Sequence, residues 1–99
     1  MRLTIKVVEI KGECPVYEIG NVISLKQGYI LDPGETNTVC MHSLASILPY
    51  YVALSKGIQA KELGLSQGDS KEAYVQCLDP CEITGGGTVR LEISRIEGE

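Results

Sequence analysis

Two segments, one near each end of the chain, alternate strictly between apolar and polar side chains, and that period of two limits the fold most. Leu3, Ile5 and Val7 are interleaved with Thr4 and Lys6, and Val89, Leu91 and Ile93 with Arg90, Glu92 and Ser94. Successive side chains of a strand point to opposite sides, so each segment reads as a strand with one buried and one wet face. Such strands belong to an antiparallel sheet covered on one side. The first strand spans about 3–10 by this alternation, until Lys11-Gly12-Glu13-Cys14-Pro15 breaks it.

Two more strands fit the same sheet. Val22-Ile23-Ser24-Leu25 follows Gly20-Asn21, antiparallel to the first strand, and a loop turning at Asp32-Pro33-Gly34 comes next. Ala73, Val75 and Cys77 share one face of a later strand, with Tyr74, Gln76 and Leu78 on the other. The cover is the segment from Val39 to Ser55. Met41, Leu44, Ala45, Ile47, Leu48, Tyr51, Val52 and Leu54 make it apolar around most of its circumference, the pattern of a buried helix. Pro49 kinks that helix or opens a second short one, and Gly57 stops it. Ala60 to Leu65 adds a turn or two. The order β-β-α-β-β therefore predicts an α+β fold, an antiparallel sheet of about four strands with one kinked, buried helix on one face. At 99 residues the chain reads as a single domain, 1–99. With five Tyr and no Phe or Trp, its core must be built from Val, Ile and Leu, with tyrosines whose hydroxyls need partners.

Charge narrows the partners. Nine basic and thirteen acidic residues give a net charge of −4, and Lys and Arg never cluster. Nucleic acid is bound largely through phosphate neutralisation, so the expectation is no nucleic acid and no anionic membrane surface. No stretch approaches the roughly 20 apolar residues that span a bilayer, and the first ten residues read as a strand instead of a signal peptide. The expected location is cytoplasmic, where thiols stay reduced. A homodimer is the partner the fold class suggests, since one sheet face is left over. Tyr50-Tyr51 straddles a core boundary and suits an interface. Gly85-Gly86-Gly87 lacks the lysine of a phosphate loop and leads into a strand, so it reads as a turn or bulge.

Chemistry is concentrated in Cys14, Cys40, Cys77, Cys81 and the lone His42. Cys14 is in a loop held extended by Pro15, Cys40 opens the helix, Cys77 is on a strand, and Cys81 is in a Pro80 turn. The three residues between Cys77 and Cys81 fall within the spacing of zinc-type pairs, and thiolates with imidazole select zinc or another thiophilic metal. Cys40 and His42 would point about 200° apart in a helix, so both reach one ion only if that stretch is not yet helical. Three functional readings stand. One is a small binding or assembly module with a cysteine-based metal site at Cys14, Cys40 and Cys77, completed by Cys81 or His42. Another is a redox or nucleophilic enzyme that uses one thiol, with His42 as its base. The third is a structural or interaction protein whose free thiols are core packing, as buried cysteines commonly are.

The motifs Gly12-Glu13-Cys14-Pro15, Cys40 before the apolar Leu44-to-Leu54 helix with Pro49, and Cys77-Leu78-Asp79-Pro80 resemble those of a family of small, uncharacterised prokaryotic proteins of this length. That resemblance covers most of the chain. The family often carries an aromatic after the central cysteine, where Met41 stands here, and Cys81 and His42 lie outside its pattern. It implies that Cys14, Cys40 and Cys77 act together, and it supplies no activity, substrate or cofactor.

Overall fold

A computed structural model describes residues 1–98 and shows an α+β architecture. Its antiparallel sheet has five strands in the order β3-β2-β1-β5-β4. The elements are β1 (Arg2–Gly12), β2 (Val22–Lys26), β3 (Ile30–Leu31), α1 (Met41–Ile47), α2 (Tyr51–Ser55), β4 (Ala73–Gln76), α3 (Cys81–Thr84) and β5 (Gly87–Ile96), with 3-10 turns at Pro33–Glu35 and Ala60–Leu63. Among the described residues, no helix is long and apolar enough to cross a membrane.

The two alternating segments pair with each other and form the spine of the sheet, from Arg2 opposite Ile96 to Gly12 opposite Gly87. The register shifts between Val7 and Glu9, where Val8 is the extra residue of a bulge. A bulge exchanges the faces of all that follows it. Leu3, Ile5 and Val7 lie on the core side before it, and Ile10, opposite Val89, packs against the core after it. That shift explains why alternation fails at Val7-Val8 although the strand continues. The core is completed by Ile23, Ala73, Val75, Leu91 and Ile93 from the sheet and by Tyr17, Ile47, Leu54 and Ala60 from above it.

The opposite sheet face carries Thr4, Lys6, Arg90, Glu92 and Ser94, with Arg90 paired to Glu9 at 3.0 Å and Glu92 accepting from the Tyr74 hydroxyl at 2.9 Å. Arg2 donates to Ser24 Oγ at 2.6 Å and to Asp32 Oδ2 at 2.9 Å. That hydrogen bond holds the Asp32 carboxyl below its ordinary 3.8.

The helical cover differs from the single kinked, buried helix expected. Proline lacks the N–H that would continue the ladder, and Pro49 separates α1 from α2. Only Ser43, Ile47 and Leu54 of these two helices are buried. Met41 is 72% exposed, and Leu48 and Val52 are 53% exposed, so the apolar far side of the helices faces outward. Two elements lacked a period long enough to be read: the two-residue β3 and the single turn of α3.

Candidate functional site

Strand direction places the thiols. β1 ends and β5 begins at the Gly12–Gly87 pair, and β4 ends nearby with Gln76 opposite Arg90. The segments leaving this end of the sheet carry Cys14, Cys77 and Cys81. The start of α1 is tied to the same end, because the Leu78 N–H donates to the His42 carbonyl at 3.4 Å. Cys14, Cys40 and Cys77 all pack into one apolar cluster. All four thiols are free.

Cys77 is 6% exposed. Its N–H donates to the Val89 carbonyl at 2.9 Å, as an antiparallel ladder requires. The return bond is unusual: the Val89 N–H donates at 3.1 Å to Cys77 Sγ. Cys14 shows the same feature, its Sγ accepting from the Tyr17 N–H at 3.4 Å. Cys77 Sγ also lies 3.7 Å from the Gly87 carbonyl, to which its S–H donates. A neutral thiol is a weak acceptor, and donors aimed at a sulfur favour its ionised form. Two sulfurs from different elements are thus met by backbone N–H groups.

Cys40 caps α1 in an extended conformation, φ −92 and ψ 136, so it is not part of the helix. Its Sγ therefore reaches His42 Nδ1 at 3.7 Å, a meeting that helical geometry would prevent. A buried hydroxyl network fixes this corner. Tyr17, 4% exposed, shares a 2.6 Å hydrogen bond with Ser43 Oγ, and its hydroxyl accepts from the Cys40 N–H at 2.8 Å. Ser43 Oγ in turn donates to the Cys40 carbonyl at 2.7 Å. Tyr17→Phe would strand the Cys40 N–H, an omission costing about 1–3 kcal/mol when a group stays buried. We expect that loss in urea unfolding, together with faster alkylation of Cys40 than in the parent protein.

Cys81 begins α3 beside Lys11. The Lys11 ammonium is held above its ordinary 10.5, first by the hydrogen bond from its Nζ to Glu82 and then by the charge of that carboxylate. The N–H of Cys81 donates to Thr88 Oγ1 at 3.4 Å, docking α3 on β5. Tyr17, Ser43 and Lys11 were not legible as site residues. The one clue was that a tyrosine in a core without Phe or Trp needs a buried partner for its hydroxyl.

Fold and site together define a small α+β protein with a thiol-bearing sheet end. Among the described residues, no three Cys, His, Asp or Glu side chains are already gathered to hold a metal ion. Comparison of the chain with protein-family models, with curated proteins and with solved structures found no match.

Proposed function

We propose that the protein is a small binding module whose working end is the thiol-bearing end of the sheet, with Cys14, Cys40 and Cys77 as thiolate ligands to zinc or another thiophilic metal. Cys81 or His42 would supply the fourth donor. The observation carrying this reading is the pair of backbone N–H groups aimed at Cys77 and Cys14. Donors to ligand sulfurs are the usual outer partners of a thiolate site. Each thiol would give up its proton on coordination. The family resemblance joins the same three cysteines without naming a metal. In this reading the partner is a second copy and not nucleic acid, in keeping with a net charge of −4.

The test is anaerobic titration of the reduced, untagged protein with Co²⁺ and Zn²⁺. One ion per chain, a thiolate-to-cobalt absorption band, and at least a tenfold loss of affinity in Cys14→Ser and Cys77→Ser are expected. No band with excess Co²⁺ would overturn the reading. A second reading rests on the 3.7 Å Cys40–His42 contact, which could make Cys40 a nucleophilic or redox thiol. It predicts that Cys40 alkylates fastest of the four and slows in His42→Asn. Equal rates for Cys40 and Cys14 would remove it.

A further inference from the structure

At the end of the sheet opposite the thiols lies a cleft of about 520 Å³, within the range of small-molecule sites. Its floor is Leu3, Leu54, Ala60 and Ile93, and the exposed Ile58 adds an apolar wall. About 30 Å of β1 separates Leu3 from Gly12, where the cysteine loops gather. The rim is charged, and its balance differs from that of the chain. Three of the nine basic residues, Lys61, Lys71 and Arg95, line the cleft, against two of the thirteen acidic ones, Asp69 and Glu72.

Arg95 is the informative residue. Val89, Leu91 and Ile93 are buried on the core face of β5, and Arg95 takes the next place on that face. An apolar side chain there would extend the core, whereas a guanidinium lines the cleft instead. Its Nε donates at 3.2 Å to the carbonyl of Ser55, the last residue of α2, which orients the group. Its Nη1 meets the exposed Glu97 carboxylate two residues along the chain. Both partners are solvated, so that pair is weak and can be exchanged for another carboxylate. Among the described residues, Lys61 and Lys71 are in no ion pair.

We infer that this cleft binds a small monocarboxylate with an apolar body. The body lies against Leu54 and Ile58, and the carboxylate replaces Glu97 on the planar fork of Arg95. Charge selects the class of anion. The lining carries one net positive charge, which a monoanion neutralises, while Asp69 and Glu72 repel the second charge of a phosphate. A neutral apolar molecule leaves the three cations unused. The inference is independent of metal binding, because it uses none of the thiols.

Titration of the isotope-labelled protein with hexanoate, followed by amide NMR with chelator and reductant present, tests it. Saturable shifts over residues 57–61 and 68–72 are expected, with a dissociation constant of about 1–10 mM for so small a probe. Arg95→Gln should weaken binding at least tenfold, because a charge-assisted pair is lost, and the exposed Lys71→Gln should weaken it less. The rest of the amide spectrum reports whether each variant keeps the fold. No shifts at about 50 mM hexanoate, or an Arg95→Gln variant that folds and binds as tightly as the parent, would overturn the inference. So would equal affinity for hexanol, which makes the cleft simply apolar, or for inorganic phosphate, which makes it an unselective anion site.

Discussion

Replacing Leu91 by alanine is expected to destabilise the protein by about 3–5 kcal/mol, the upper part of the range for a fully enclosed leucine. Leu91 has no exposed surface. It stands between Val7 on β1 and Val75 on β4, at the point where the sheet is flanked on both sides. The backbone there is held by ladders to two neighbours and cannot collapse into the space left behind. The cost is therefore the lost transfer energy and also the cavity. Ile83→Ala is the matched control. Ile83 is 83% exposed, and its loss should fall within about 0.5 kcal/mol. Urea unfolding of both variants measures the difference. Equal losses would mean that the core is not centred on β5.

Gly12→Ala should cost about 2–5 kcal/mol, from two separate sources. Gly12 has φ +83, where a side chain carries a penalty of roughly 1–2 kcal/mol. A Cβ there would also lie 2.6 Å from the Gly86 carbonyl oxygen and 3.3 Å from Cys81 Cβ. The first neighbour is backbone and cannot swing aside, so overpacking adds about 1–3 kcal/mol. Gly20 separates the two effects. It has φ +92 with nothing within 4 Å of its Cβ position, so Gly20→Ala should show the conformational penalty alone. Because the Gly12 clash pushes on the loop that carries Cys81, this variant should also raise the alkylation rate of Cys81. Gly20→Ala should not. If the two variants lost the same stability, the close approach of the Cys81 loop to β1 would be refuted.

These glycines show why the site was less legible than the fold. Gly87 is the partner of Gly12, and a Cβ on it would sit 2.7 Å from the Cys14 N atom. The bare pair lets both cysteine loops settle on the end of the sheet. In the sequence, Gly12 reads only as a strand breaker and Gly87 as part of a turn. Nothing local indicates that the 74 residues between them return one to the other. The thiols were visible as residues and their elements were mostly right. Their acceptor roles were not, because the Val89 N–H that points at Cys77 Sγ belongs to another strand.

The helical segment taught a different lesson. Apolar residues all around a helix predicted burial, yet among the described residues no second layer covers Met41, Leu48 and Val52. The outward residues of α1 and α2 remain exposed in the single chain. Periodicity reports which faces are apolar, and it does not report whether anything covers them.

By itself the sequence determined four of the five strands, their buried faces, the break at Pro49 and the α+β class. Each follows from side-chain period or from proline's missing donor, which act over a few residues. Only the tertiary structure decided the strand order, the bulge at Val8, and the gathering of Cys14, Cys40, Cys77 and Cys81 at one end of the sheet. Those depend on which distant segments pair, and pairing is settled by the packing of the whole core and not by any local pattern.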